Sequence, residues 1–308
     1  MEGSTSDAPR GIYACSQQLI DWRHVVRRLQ TVDSLQSLFE LPGRRQSDRA
    51  GNSTEFREIR HWQPGDNPRS IDWRVSARRA DLMVRQYQDT RECPLYLIVD
   101  QRARMFFGST DRFKSVTALD IAAILSWLAH TDDDRVGGQV FGVEPAQWRC
   151  SKGKQRLLQW LQQLVQSNLQ LDAGCRDAND IDAGIRTAIA AAPVGARVAF
   201  ISDFGQRSPH TLGLLSQLAA TTRLALFAVS DPLERALSLR GRLGVSNGRQ
   251  KTSIWFDRSL RRQLRQASEA SDVQLNQWCE DSGVRLHRLS TADRADEGII
   301  TARQGRTG

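Results

Sequence analysis

The sequence predicts an α/β fold, a mostly parallel sheet with helices on both faces. Two observations carry this. The short apolar runs "CPLYLIVD" and "ARVAFISDF" each reach an aspartate, as strands buried on both faces do. From Cys93 onward such runs alternate with helical patterns, the strand–helix–strand rhythm that builds parallel sheets.

Taken in order, residues 1–16 are polar and read as a disordered N-terminus. Residues 17–54 read as a helical segment and a polar loop, with Leu19, Trp22, Val25, Val26 and Leu29 on one helical face. Residues 55–92 read as a small β region of short strands and turns, "TEFREIRHW" and "DLMVRQYQ" being the strands. The sheet domain follows over 93–290. Its first helix, "RFKSVTALDIAAILSWLAH", is apolar almost all round and therefore central. "RVGGQVFG" and "AQWRC" are two more strands. "KQRLLQWLQQLVQSN" is an amphipathic helix, with Leu157, Leu158, Leu161, Leu164 and Val165 inward. "IDAGIRTAIAAA" is a helix ended by Pro193-Val194-Gly195. After the second Asp-ended strand come a helix, "TLGLLSQLAAT", and a strand, "RLALFAVSD". Residues 236–256 form a hairpin insertion around Asn247-Gly248. A long helix stopped at Gly283 and a last strand, "VRLHRLS", complete the domain, and 291–308 read as a flexible polar tail.

A chain of 308 residues can bury a full core, and 40% hydrophobic with 25% charged residues is a soluble globular composition. The longest apolar stretch, near residues 119–129, is too short to span a bilayer. The first residues lack the basic and apolar regions of a signal peptide, so a cytoplasmic location is expected. Cys15, Cys93, Cys150, Cys175 and Cys279 are dispersed, as are the five histidines, which argues against a disulfide framework and a zinc site. Net charge is +8, almost all the cations being Arg. Cations and anions number 15 and 14 over residues 1–100, 18 and 13 over 101–250, and 10 and 8 over 251–308. This spread favours a solvated, salt-bridged surface, and nucleic-acid binding by an Arg-rich surface is the second functional reading.

Ligands of open α/β sheets bind beyond the carboxyl ends of the strands. Asp100 and Asp203 end two strands and form a natural pair for a hard cation such as Mg²⁺. No G-x-G-x-x-G follows Asp100 and no P-loop is present, so nucleotide phosphates have no cradle of either kind. "GVSNG" lies in the hairpin and is no nucleophile elbow. The stretch "RHWQPGDNPRSIDWRVSARR", residues 60–79, reads as a catalytic loop or as a clasp. Asp66 and Asp72 are its candidate acid/base groups, yet every acid there has an Arg close in sequence. A structural clasp is favoured, with a type II turn at Pro64-Gly65 and Trp62 and Trp73 as anchors against the sheet.

Residues 55–100, with "ISDF" and "SDPLERAL" further on, resemble the signature of the bacterial domain-of-unknown-function family fifty-eight. The signature residues are Trp62, Pro64, Gly65, Asp66, Arg69, Asp72, Trp73, Ser76 and Arg78, all expected to be structural. The resemblance implies a von Willebrand A-like fold, whose first strand ends in a metal-binding D-x-S-x-S, and a working partnership with MoxR-type AAA+ ATPases. This chain instead reads Asp100-Gln101-Arg102-Ala103-Arg104, with arginines at both hydroxyl positions. Asn179 is the expected occupant of the family's later threonine position. Two guanidinium groups would repel a divalent ion and fill its volume. The expectation is a vestigial site at Asp100 and Asp203 with no metal and no cofactor, where Arg102 or Arg104 pairs with the carboxylates. The alternative is that both arginines face solvent. The resemblance further implies a non-enzymatic adaptor or co-chaperone of a MoxR-type ATPase. Its partner would meet the carboxyl edge at Asp100, Arg102, Arg104, Asn179 and Asp203.

Overall fold

The computed structural model describes residues 11–29, 35–39, 55–63, 71–79, 81–88, 93–172, 174–205, 207–236, 241–246, 251–256 and 258–303. The chain divides into two compact units, residues 1–42 with 93–308, and residues 43–92. The first unit opens with helix α1 (Ser16–Leu29), whose Leu19, Trp22 and Val26 are buried, and a 3-10 turn at Leu35–Leu38 follows.

The small unit holds strand β1 (Glu55–His61), helix α2 (Trp73–Arg79) and strand β2 (Met83–Gln88), with β1 and β2 antiparallel. The sequence reading had strands and turns alone here; the helix is a correction, and Asp72 explains it. Its carboxylate accepts from the amides of Arg74 and Val75 at 3.1 and 3.2 Å, an N-cap that starts the helix. Ser76 Oγ then donates to the Asp72 carbonyl and accepts from the Met83 amide, tying α2 to β2.

The first unit resumes with β3 (Leu95–Gln101), α3 (Lys114–Thr131), β4 (Val136–Gly142), β5 (Ala146–Ser151), α4 (Lys154–Leu169), α5 (Ile181–Ala191) and β6 (Arg197–Ser202). Then come α6 (Thr211–Thr221), β7 (Arg223–Ser230), α7 (Pro232–Ala236), β8 (Gly241–Ser246), β9 (Lys251–Phe256), α8 (Arg258–Ser282), β10 (Arg285–Ser290) and α9 (Ala295–Arg303). Six strands form one sheet in the order β10-β7-β6-β3-β4-β5, parallel except for the edge strand β5. Side chains alternate across it. Leu95, Leu97 and Val99 join the core under α1, α3, α4 and α9, while Tyr96 and Ile98 join the core under α5, α6 and α8. The hairpin of β8 and β9 is a separate two-stranded sheet; Asn247-Gly248, where the sequence predicts its turn, lie outside the described residues.

Helix α3 is buried over sixteen of its eighteen residues, from Lys114 to Ala129, as a helix apolar on all sides must be. Its one carboxylate, Asp120, has zero exposure and accepts from Trp22 Nε1 and Gln18 Nε2 of α1, both at 2.7 Å, and from Arg112 at 3.0 Å. Helix α1 is thereby clamped to the core.

Both ends of the chain need correction where the structure describes them. The Gly11 carbonyl accepts from the Phe113 amide, Tyr13 donates to the Leu171 carbonyl, and the Ala14 amide donates to Asn168 Oδ1 at 2.8 Å. The polar tail contains α9, which buries Ala295 and Ile299 on its inner face. Composition hid that i, i+4 pair among charged neighbours. Among the described residues no helix is long and apolar enough to cross a membrane.

Candidate functional site at the carboxyl edge of the sheet

The connections from β3 run to β4 on one side, and β6 begins the other half of the sheet. Strand order reverses between β3 and β6, and it is beyond the carboxyl ends of such a strand pair that open α/β sheets bind ligands. Asp100 and Asp203 end or follow those two adjacent strands. The topology therefore brings together two carboxylates about a hundred residues apart.

Neither arginine faces open solvent without a partner. The Arg102 amide donates to Asp100 Oδ1 at 3.0 Å, which curls the chain into an Asx turn. Its guanidinium then returns along the same carboxylate: Nε lies 3.0 and 3.1 Å from the two oxygens and Nη2 lies 2.7 Å from Oδ2. Ser202 Oγ donates to Asp100 Oδ2 at 2.6 Å. Arg102 Nη2 also stands 3.6 Å from Asp203, and the guanidinium carbon lies 5.5 Å from the Phe141 ring centroid. Asp100 and Arg102 are 0% and 3% exposed, so their charges balance each other out of water.

Asp203 carries the second half of the network. Arg104 Nε donates to its Oδ2 at 2.7 Å and Lys114 Nζ donates to the same oxygen at 2.9 Å. The Gly205 amide donates to Oδ1 at 3.0 Å. Burial alone would raise the Asp203 carboxyl, but Lys114 and Arg104 hold it down at about 2. Lys114, 1% exposed, also donates to Glu234 Oε1 at 2.6 Å. Its ammonium sits at the start of α3, where the helix dipole disfavours a cation, so these two carboxylates are what hold it there. Glu234 belongs to a capping box: Asp231 accepts from the Leu233 amide, while Glu234 Oε2 reaches the Asp231 amide.

Three cations, Arg102, Arg104 and Lys114, thus meet three carboxylates, Asp100, Asp203 and Glu234. The donor set does not fit a divalent ion, which takes about six oxygen ligands. The oxygens of Asp100 and Asp203 already accept from guanidinium, ammonium, hydroxyl and amide groups within 3.1 Å.

Asn179 is not brought to this network by its side chain; its amide donates to the Gly142 carbonyl at 3.2 Å. Asp177, two residues earlier, lies against the network. Its carboxylate accepts from the Ala103 amide at 2.6 Å, burial raises it, and Arg102 and Arg104 pull it back. Lys114, Ser202, Asp177 and Glu234 are the members that sequence reasoning missed. Of the signature residues, Pro64, Gly65, Asp66 and Arg69 lie outside the described residues. Asp72 caps α2, Ser76 bonds back to the Asp72 carbonyl, and Arg78 is exposed on α2. Trp73, expected as an anchor, is 67% exposed. The Trp62 amide donates to the Leu82 carbonyl at 2.8 Å. All five cysteines are free, and burial pushes Cys150 up to about 11 and Cys279 up to about 12.

The turn after β6 is shaped for Arg104. Phe204 is buried with a left-handed φ of 51°, and a Cβ on Gly205 would stand 2.0 Å from Arg104 Nη2. Gly205→Ala is therefore expected to push the flexible, 28%-exposed Arg104 side chain off Asp203 at small cost in stability. The check is the thermal midpoint, which should move by only a few degrees.

Two adjacent Asp-ended strands at the point where strand order reverses, their carboxylates met by protein cations, define an α/β domain with a mostly parallel six-stranded sheet flanked by helices. The chain belongs to the DUF58 family, described as proteins of unknown function, whose model matches residues 58–275. It is 36% identical over 90 residues to the uncharacterized protein Rv1480 of Mycobacterium tuberculosis, covering 29% of this chain and 28% of that protein. It is 31% identical over 77 residues to the uncharacterized protein YeaD of Bacillus subtilis, covering 25% of this chain and 18% of that one. These matches span less than a third of either relative's length. A crystal structure of the conserved hypothetical protein BatB from Bacteroides thetaiotaomicron is similar at 13% identity. Its TM-score is 0.45, and the match covers 69% of this chain and 98% of that one.

Proposed function

We propose that this chain is a non-enzymatic interaction module, an adaptor or co-chaperone of a MoxR-type AAA+ ATPase. The observation that carries the reading is the closed charge network at the switch point. Each of its carboxylates accepts from a cation, so none is left as a free general base, and the hydroxyl beside them, Ser202 on Asp100, is fully buried with its acceptor already held by Arg102. Such a constellation suits recognition better than turnover. The partner's identity rests on the family resemblance alone.

The network also says which members a partner could reach. Arg102 and Lys114 are sealed, while Arg104 and Glu234 are 28% and 39% exposed at the rim. An acidic side chain of the partner would dock on Arg104, whose Nη groups can form a fork with a carboxylate. The test is direct binding of the purified chain to the MoxR-type ATPase of the same host, with ATP present. Arg104→Ser is expected to weaken binding at least tenfold and Arg186→Ser, on exposed α5 surface, to leave it unchanged. No binding by the unaltered chain, with or without nucleotide, counts against the adaptor reading.

A further inference from the structure

We infer that the β8–β9 hairpin and the first turns of α8 form a binding surface for single-stranded nucleic acid. The starting point is where the charge lies. Between residues 235 and 265 stand eight Arg and Lys251 against one acid, Asp257, a local balance of +8. The other residues hold 34 cations and 34 anions, so this segment carries the whole net charge of the chain. Dividing the sequence at residue 250 cuts the cluster in half, which is why the excess looked dispersed. A surface that needed charge only for solubility would follow the balanced pattern of the remainder.

The backbone then sorts these residues. In the hairpin register Arg242 faces Trp255, Gly244 faces Ser253 and Ser246 faces Lys251. Residues of one such set share a face, so one side of the hairpin combines two cations and a tryptophan with small residues. Leu243, Val245, Ile254 and Phe256 fall on the other side. Helix α8 begins two residues after β9 and places Arg258, Arg261, Arg262 and Arg265 at i, i+3, i+4 and i+7, one helical face. Guanidinium groups bind phosphate bidentately, and a tryptophan ring is a platform for an unpaired base. A membrane-surface element would instead place its tryptophan with the aliphatic residues on the inserting face.

The test is fluorescence anisotropy of the full chain with a labelled twenty-nucleotide oligo-dT and oligo-U between 50 and 200 mM NaCl. With four to six phosphates neutralised, affinity should fall roughly a hundredfold across that range, on a log–log slope of about −3 to −4. Arg261→Glu with Arg262→Glu should weaken binding at least tenfold and flatten the slope by about 1.4. Trp255→Ala should weaken binding about tenfold and leave the slope unchanged. Because Trp255→Ala can disturb the hairpin, circular dichroism accompanies it, and the helix pair stands as an independent check. Arg186→Glu should bind as the unaltered chain does. The proposal is overturned by no binding at 50 mM NaCl, by an Arg261/Arg262 variant that binds as tightly as Arg186→Glu, or by preference for vesicles of 30% phosphatidylserine over both oligonucleotides. This inference is independent of the adaptor reading, since none of its variants touches the carboxyl edge.

Discussion

Arg102→Ala is expected to destabilise the protein by about 3–5 kcal/mol, because it strands the Asp100 carboxylate at 0% exposure with Ser202 as its remaining side-chain donor. For a domain whose total stability is about 5–15 kcal/mol, that leaves little margin. A large drop in the urea midpoint, or failure to accumulate in soluble form, is the result to look for. The cause is the unpaired charge, so Asp100→Asn combined with Arg102→Met should restore most of the loss. Arg104→Ser should cost far less. Its side chain is 28% exposed, and Asp203 keeps Lys114 and the Gly205 amide. Equal urea midpoints for the unaltered chain and Arg102→Ala would show that the pair is not what holds this edge.

Two buried groups titrate in opposite senses between pH 4 and 6, and separating them should expose a strong pH dependence. His287 is 4% exposed, its Nε2 is 2.8 Å from the Leu38 carbonyl, and burial lowers it from 6.5 to about 4. As pH falls the unfolded chain takes the proton first. The His287 contribution is therefore complete above pH 6.5 and is lost as pH falls toward 4, about 3 kcal/mol in all. Asp120 runs the other way. Burial raises it from 3.8 to about 6 against the pull of Trp22, Arg112 and Gln18. Its favourable contribution is present below pH 3.8 and is lost as pH rises toward 6, again about 3 kcal/mol. In the unaltered chain the two offset each other. His287→Gln should become more stable as pH falls from 6 to 4, and Asp120→Asn less stable. Urea midpoints at four pH values decide it, and variant profiles parallel to the unaltered one would sink the prediction.

Much of the sheet was legible because its signals are local. Apolar runs such as "YLIV" and "VAFI" have no alternative to burial on two faces, and all six strands of the main sheet fall where the pattern placed them. Helix α2 was missed although Asp72 is a serviceable N-cap signal, because a seven-residue helix has too few turns to show a period. Lys114 left a readable trace: a charge opening a helix with no polar face must be buried, and a buried ammonium needs carboxylates. Glu234 likewise stands three residues after Asp231, as a capping box requires. Asn179 was placed by counting along a loop, and loops do not preserve the two-residue period that makes counting reliable in strands.

What this sequence determined by itself is the order of elements, the two Asp-ended strands, and the arginines two and four residues after the first of those aspartates. These follow from periodicity and residue chemistry within a few turns of chain. Only the tertiary structure decided that Arg102 closes on Asp100, that Arg104 and Lys114 share Asp203, and that Glu234 completes the set. Those pairings join residues up to 120 positions apart, and no local pattern encodes which carboxylate a buried cation will meet. Strand order settles it, by setting the ends of β3 and β6 side by side with the start of α3 against them.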